Sequence, residues 1–277
     1  MHNQIIAYAI FLLSLLPRFN CVQYPWDTNP VCKPPRPPIG GMFGRYSRTE
    51  PLMHEWNCTS GVVSRSQMLE DVRIYRRYFA GKRNGFFLEM GALDGLQFSN
   101  TLIYEQCFGW NGILIEAEPT NAAALKKNRP CAITVHAAGG NGGGTLHMTQ
   151  SRGVSRVVEG PGENTVEVPV RRMADIFAEW GITKIDFFSL DVEGSEFMVL
   201  ESIDFDAVDI SLLLVEKSST FTVNPTTEKV RALLLSKGYH LMPAVAPRCN
   251  RRTHHKLEID TSDVFVKEEL RDDICRD

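Results

Sequence analysis

The stretch from Gly85 to Pro119, GFFLEMGALDGLQFSNTLIYEQCFGWNGILIEAEP, constrains the fold of this chain more than any other. It contains an apolar strand, a glycine turn, a helical segment from Ser99 to Cys107, a second apolar strand and then acids. This order predicts a βαβ unit of the nucleotide-binding kind. Glycines let the backbone approach a ligand closely, and an acid after the second strand accepts hydrogen bonds from ribose hydroxyls.

The glycine turn has the spacing Glu-x-Gly-x-x-x-Gly over Glu89–Gly95 instead of Gly-x-Gly-x-x-Gly. This spacing resembles motif I of class I S-adenosylmethionine-dependent methyltransferases. A nucleoside without a pyrophosphate needs fewer glycines, because there is less anion for the loop to cradle. Taken alone, the turn is more typical of an α/β protein that binds no nucleotide. Glu118, at the expected end of the second strand, favours binding.

The length and charge of the chain limit the classes of protein to which it belongs. Its 277 residues fit one large domain with an extension, or two small domains. The formal net charge is -3, which gives no basic footprint for nucleic acid, so no nucleic-acid partner is expected. One short basic cluster is interpreted as a solvated loop: Arg251, Arg252, His254 and His255.

An apolar run from Ile5 to Leu16 lies near the N-terminus. It is too short to span a bilayer comfortably and has about the length of a signal-peptide core. We therefore expect residues 1–20 to be a signal peptide or signal anchor, which directs the chain to the secretory pathway and offers a membrane attachment. The alternative is a buried N-terminal helix. Residues 21–80 are predicted to be a proline-rich stem followed by a helix from Ser64 to Phe79, and residues 81–277 the folded domain.

Cysteine usage agrees with an oxidising compartment. The chain has seven cysteines, and setting aside Cys21 leaves an even set with no Cys-x-x-Cys spacing. Cys107 and Cys131 both fall just before neighbouring predicted strands, so we predict a disulfide between them. The alternative is that both are small buried side chains of a cytosolic protein. The other four have no predicted connectivity: Cys32, Cys58, Cys249 and Cys275.

Strands alternate with helices along the rest of the chain, which predicts an α/β fold with a mostly parallel sheet and helices on both faces. The predicted strands are Phe86–Met90, Gly112–Glu116, Thr134–Ala138, Thr145–Met148, Val166–Val170 as an edge strand, Ile185–Leu190, Leu212–Val215, and a terminal antiparallel hairpin of Tyr239–Met242 with Val264–Val266.

Acidic residues gather where the predicted strands end, and ligands of open parallel sheets bind at those carboxyl ends. The acids are Glu89, Asp94, Glu116, Glu118, Asp191, Glu193 and Glu216. An acidic crevice attracts a sulfonium cation. Asp191 or Glu193 is the predicted base that removes a hydroxyl proton, and His136, inside a strand, is a weaker candidate. Two carboxylates, Asp191 and Glu193, are too few to predict a metal site.

Five segments carry a resemblance to the FkbM-family methyltransferases, in the order FFLEMGALDG, GILIEAEP, VHAAGG, VPVRRMADIF and IDFFSLDVEGSEFMVLES. The resemblance covers about Gly85 to Val266 and is closer to the eukaryotic, Star-like branch. It implies a Rossmann-like class I methyltransferase fold, S-adenosylmethionine as methyl donor, and O-methylation of a hydroxyl on a sugar, glycan or small metabolite. Star-like relatives also suggest an alternative, a protein of secretory trafficking without catalysis.

The resemblance also implies roles for individual residues. Glu89 and Gly91 would hold the methionine end of the cofactor, and Glu118 would bind its ribose. The adenine side would be lined by Ala138, with His136 and Ala137 beside it, and the transferred methyl would face Asp191 and Glu193. Further cofactor contacts would come from Asp94, Gly95 and Glu116. Ser189 departs from the family pattern, which often has lysine at this position.

Overall fold

The computed structural model describes residues 64–150, 155, 157–217, 225–242 and 261–271. The predicted signal segment, the proline-rich stem, the basic cluster and the four remaining cysteines lie outside these ranges. No helix within them is long and apolar enough to cross a membrane.

Eleven strands and seven helices form the described part of the chain. The strands are β1 (Phe86–Met90), β2 (Asn111–Glu116), β3 (Ile133–His136), β4 (Ala138–Gly139), β5 (Thr145–Thr149), β6 (Val157–Val158), β7 (Thr165–Arg171), β8 (Lys184–Leu190), β9 (Asp209–Glu216), β10 (His240–Met242) and β11 (Ser262–Val266). The helices are α1 (Glu70–Ile74, continued by a π-helical turn over Tyr75–Phe79), α2 (Leu102–Phe108), α3 (Pro119–Asn128), α4 (Met173–Trp180), α5 (Glu196–Glu201), α6 (Pro225–Ser236) and α7 (Glu268–Arg271).

The main sheet has seven described strands in the order β10-β11-β9-β8-β1-β2-β3. Strands β9, β8, β1, β2 and β3 are parallel, whereas β11 runs antiparallel to both β9 and β10. The predicted fold class is confirmed, including the terminal antiparallel pair. The reversal of strand order around β1 places a crevice at the carboxyl ends of β1, β2, β8 and β9.

A second sheet of four described strands has the order β4-β7-β5-β6. The prediction of an edge strand at Val166–Val170 is wrong, because β7 pairs with β4 on one side and with β5 on the other. Strand β4 is only two residues long and pairs Ala138 with Val170. Such a short strand has too few residues for a periodic signal in the sequence.

Hydrophobic side chains fill both faces of the main sheet, because successive strand residues point to opposite sides. Leu88 and Met90 of β1 pack with one core cluster, which includes residues of α4, α5 and α6. Phe87 packs with the other, which includes residues of α1 and α2. Helices therefore cover both faces of the sheet.

The segment before β1 packs against the second cluster. Ile74, Tyr75 and Phe79 are buried, and the ring of Tyr75 stacks on that of Phe108 with centroids 3.6 Å apart. The helix begins at Glu70 and not at Ser64. Ser66 explains part of this difference, because its Oγ accepts a hydrogen bond of 2.8 Å from the amide of Glu70.

Cys107 lies at the end of α2, and Cys131 lies just before β3. Both are disulfide-bonded in the structure. Both precede neighbouring parallel strands, so they lie at the sheet edge opposite the crevice. Their pairing with one another stays a prediction, as does a secretory location.

Candidate active site

A cleft opens at the carboxyl ends of the central strands, with about 1140 Å³ of empty space, part of it open solvent. The cleft lies at the carboxyl ends of parallel strands, where open α/β sheets bind their ligands. Its described lining includes five acids and no lysine, arginine or histidine. The acids are Glu89, Glu116, Asp191, Glu193 and Glu216. The cleft therefore favours a cationic ligand over a phosphate.

Gly91 lies where the first turn crosses the end of β8. Its φ is 81°, and a Cβ added there would lie 1.7 Å from the carbonyl oxygen of Asp191. The Asp191 amide in turn donates to the carbonyl of Met90 at 3.0 Å. The two strand ends come so close that only glycine fits at position 91. Gly91 and Asp191 both line the cleft.

Glu89 is buried at the end of β1 and also lines the cleft. Its Oε2 accepts from Ser99 Oγ at 2.8 Å and Thr101 Oγ1 at 2.5 Å, and its Oε1 accepts from the Asn100 amide at 2.7 Å. Burial raises the pKa of Glu89, while the positive charge of Arg129 and these hydrogen bonds oppose the rise. The three donors fix the direction of the carboxylate.

Glu116 is the last residue of β2, and its side chain lies in the cleft. Oε2 accepts from the amide of Leu93 at 2.8 Å, and Oε1 accepts from the amide of Glu118 at 2.8 Å. Burial raises its pKa, and the two amides oppose that rise. Each oxygen keeps a further lone pair, so Glu116 can accept hydrogen bonds from two ligand hydroxyls.

Glu118 and His136 lie outside the described lining of the cleft. Glu118 is buried as the N-cap of α3, where its Oε2 accepts from the Asn121 amide at 2.7 Å. The exposed ring of His136 places Nε2 2.9 Å from the carbonyl oxygen of Ala117. Neither predicted contact lies in the described lining, because Glu118 caps the helix after β2 and the ring of His136 lies against Ala117.

Asp94 and Gly95 also lie outside that lining and serve the loop itself. Asp94 Oδ1 accepts from the amides of Leu96 and Gln97 at 2.9 and 2.7 Å, which closes a turn. Gly95 has a φ of 79°, and a Cβ there would lie 2.7 Å from Cγ of Arg129. Both residues shape the loop that carries Gly91.

Asp191 and Glu216 form a hydrogen-bonded carboxyl pair at the ends of β8 and β9. The register explains the contact, because Leu190 pairs with Val215 and the next residues are adjacent. Burial raises the pKa of Asp191 to about 6. Burial and the Asp191 charge raise the pKa of Glu216 to about 9. At neutral pH the pair therefore holds one proton and one negative charge.

Other predicted residues also contribute to the cleft. Glu193 and Ala138 line the cleft, and Glu193 has a left-handed backbone with φ of 55°. Ser189, also in the lining, is buried, and its Oγ accepts from Asn100 Nδ2 at 3.0 Å. Among the described residues, no group of three or more His, Cys, Asp or Glu side chains is arranged to hold a metal ion.

The structure adds two residues that sequence reasoning did not assign to the site. Glu216 was seen only as a strand-end acid, although aligning the ends of β8 and β9 would have placed it beside Asp191. Asn100 lines the cleft through a side chain whose Oδ1 is buried without a hydrogen-bond partner. It falls in a loop, where no periodic pattern identifies it.

Comparisons with solved structures found distant likenesses. Fibrillarin of Aeropyrum pernix, in complex with natively bound S-adenosyl-L-methionine, is 12% identical over 76% of this chain and 75% of its own, with a TM-score of 0.41. An O-methyltransferase of Bacillus cereus, in complex with SAH, is 11% identical over 78% of this chain and 88% of its own, with a TM-score of 0.40. Precorrin-6y C5,15-methyltransferase of Geobacter metallireducens is 10% identical over 75% and 90%, with a TM-score of 0.41. No curated protein matches the sequence significantly.

A protein-family model identifies the family of this chain. The family model described as "Methyltransferase FkbM domain" matches residues 89–241, which is more than half of the chain. The matched range begins at Glu89 and contains Gly91, Glu116 and Asp191. It does not distinguish the Star-like branch from others. The chain belongs to the FkbM family of S-adenosylmethionine-dependent methyltransferases.

Proposed function

We propose that this methyltransferase acts on a hydroxyl group, of a sugar, glycan or small metabolite, in the secretory pathway. One observation carries the proposal: the Asp191–Glu216 pair lies in the same cleft as Gly91 and Glu116. A hydroxyl must lose its proton during methyl transfer, and this pair offers an ionised carboxylate for that purpose at neutral pH.

The cleft fits S-adenosylmethionine, which supplies an electrophilic methyl group on a sulfonium cation. Glu116, held by two loop amides, accepts hydrogen bonds from the ribose hydroxyls. We assign this role to Glu116 because it lines the cleft, whereas Glu118 lies outside the described lining. Glu89 takes the ammonium of the methionine end, beside Gly91. Ala138 belongs to an apolar wall suited to the adenine ring, formed by Ile115, Ala137, Ala138, Leu146 and Met148.

Asp191 is the proposed base. With its pKa raised to about 6, Asp191 is ionised at neutral pH but still basic enough to accept a proton in the transition state. Glu216, whose pKa is raised to about 9, keeps its proton and donates to Asp191. As the acceptor oxygen bonds to the methyl carbon and the carbon–sulfur bond breaks, the hydroxyl proton passes to Asp191. Glu193, which also lines the cleft, adds negative charge near the sulfonium.

Two features support a secretory location. One is the apolar run Ile5–Leu16, of signal-peptide length. The other is the oxidised state of Cys107 and Cys131, since disulfides persist in the secretory compartments and are rare in the cytosol.

Methyl labelling tests this proposal. The protein is incubated with methyl-labelled S-adenosylmethionine and a mixture of neutral methyl glycosides and released glycans, and the label is then challenged with alkali. An ether of a hydroxyl survives alkali, whereas a methyl ester is cleaved. We expect alkali-stable label with the parent and with Glu201→Gln, an exposed control, and almost none with Asp191→Asn. Label that alkali removes entirely, or no label at all, would contradict O-methylation of a hydroxyl.

A further inference from the structure

Arg129 is a fully buried cation behind the cofactor loop, with 0% of its surface exposed. It follows α3 as the C-cap residue and lies outside the described lining of the cleft. Its Nε donates to Glu105 Oε2 at 2.7 Å, which neutralises the charge. Its Cζ lies 5.4 Å from the centroid of the Phe87 ring. The ion pair with Glu105 uses only Nε of the guanidinium, so the two Nη atoms are left to bind other groups.

Those remaining nitrogens point toward the loop and toward Glu89. Nη1 donates to the Gly95 carbonyl at 3.0 Å and to Ser99 Oγ at 3.2 Å. Nη2 donates to Thr101 Oγ1 at 3.3 Å. Both hydroxyls then donate to Oε2 of Glu89. Arg129 is therefore joined to a cleft carboxylate through two side chains.

The direction of the hydrogen bonds from Arg129 through Ser99 and Thr101 to Glu89 is fixed; we call this chain of bonds the relay. Ser99 Oγ accepts from Arg129 Nη1 and also from the Thr101 amide at 3.2 Å, so both lone pairs are used. Its single hydrogen can go only to Glu89. A guanidinium has no acceptor, so Thr101 must also accept from Arg129 and turn its hydrogen to Glu89. Both hydroxyls are held as donors to one carboxylate.

We propose that Arg129 is a positioning residue for methyl-donor binding: through Ser99 and Thr101 it aims the ionised carboxylate of Glu89 at the ammonium of the methionine end. The inference rests on the proposed role of Glu89. Support comes from charge, because Arg129 opposes the rise of the Glu89 pKa that burial causes. Gly95 fits the same account, since any Cβ there would displace the Arg129 side chain.

The test compares two ligands that differ only at the methionine end. S-adenosylhomocysteine carries the ammonium, whereas 5′-methylthioadenosine keeps the adenosine and sulfur but lacks the amino-acid group. Calorimetric titration of the parent, Thr101→Val and Thr101→Ser gives the dissociation constants for both. Valine matches threonine in shape but removes the hydroxyl, and serine restores it. Ser99→Ala and Arg129→Lys are titrated in the same way. If Arg129→Lys does not fold, Thr101→Val still tests the relay.

We expect Thr101→Val to weaken S-adenosylhomocysteine binding roughly tenfold or more. The affinity of Thr101→Val for 5′-methylthioadenosine should stay at the parental value, and Thr101→Ser should restore the affinity for S-adenosylhomocysteine. Unchanged affinity for S-adenosylhomocysteine would overturn the inference. Equal weakening for both ligands would also overturn it, since that marks a general structural role. A parent that binds neither ligand would instead refute the proposed cofactor site.

Discussion

The carboxyl groups of Asp191 and Glu216 share a hydrogen bond across the ends of two adjacent parallel strands. Two carboxyls in contact cannot both ionise easily, so one proton stays between them near neutral pH. This arrangement gives the cleft one ionised carboxylate next to a neutral carboxyl donor, and we propose that the ionised group is the base. The pH dependence of catalysis follows from it.

Methyl transfer should follow a bell-shaped pH profile. The pair titrates as a unit, so the rate should rise as it loses its first proton, with an apparent pKa of about 6, and fall as it loses its second, with an apparent pKa of about 9. Glu216→Gln keeps a neutral N–H donor toward Asp191, so the alkaline fall should disappear while the acid limb remains. The profile of kcat/KM against pH measures this with the acceptor found by labelling. A parental alkaline limb retained in Glu216→Gln would remove Glu216 from the mechanism.

Two neighbouring glutamates provide a matched pair for cofactor binding. Glu116→Gln should weaken binding of S-adenosylhomocysteine roughly tenfold or more, because it removes a charged acceptor for the ribose hydroxyls. Glu118→Ala should leave affinity at the parental value and lower stability by about 1 kcal/mol, because it removes the side-chain cap of the helix. Titration calorimetry and thermal melting separate the two effects. The opposite pattern of affinities would return the ribose role to Glu118.

Asp71 makes stability depend on pH. It is fully buried, its Oδ1 accepts from Ser64 Oγ at 2.7 Å, and burial raises its pKa to about 8. A carboxyl of the unfolded chain titrates near pH 4, so the folded state binds the extra proton. Stability from this group is thus full below about pH 4 and is lost as pH rises through about 8.

Asp71→Asn carries no such proton and should show a smaller fall in melting temperature between pH 5 and pH 9 than the parent. Glu201→Gln, at an exposed position, is the control and should follow the parent. A parent whose melting temperature does not fall over this range would contradict the buried, protonated state of Asp71.

Oxidation of Cys107 and Cys131 predicts a bridge between them. It would close a loop of roughly two dozen residues and stabilise the fold by about 3 kcal/mol in the chain-entropy model. The double variant Cys107→Ser/Cys131→Ser should therefore melt at a lower temperature. Non-reducing peptide mapping of protein from secreting cells should recover the two cysteines in one linked peptide. Free thiols at both positions would argue against the bridge and against the secretory location.

The sequence was sufficient for the main architecture because its signals there are strong. Ile185–Leu190 is an apolar run long enough to identify a buried strand, and Gly181 ends the helix before it in a left-handed conformation with φ of 63°. The second sheet was harder, since its two-residue strand β4 leaves no pattern. Its pairing depends on contacts across a glycine-rich loop.

The site was predicted as a region more accurately than as a set of side chains. The ends of β1, β2 and β8 were expected to carry it, and Glu89, Gly91, Glu116 and Asp191 line the cleft. Glu116 and Glu118 could not be separated, because strand ends are uncertain by about two residues. The role of Arg129 could not be predicted from the sequence, because its contacts join residues that are distant in the chain.

The most direct test of the central claim is a calorimetric titration of the purified protein with S-adenosylmethionine, with ATP as the comparison ligand. Both contain adenosine, but one carries a sulfonium cation and the other a triphosphate. The acidic cleft predicts binding of S-adenosylmethionine with one site per chain, displaced by S-adenosylhomocysteine, and no measurable binding of ATP. Absence of S-adenosylmethionine binding, or ATP binding of equal strength, would contradict the account.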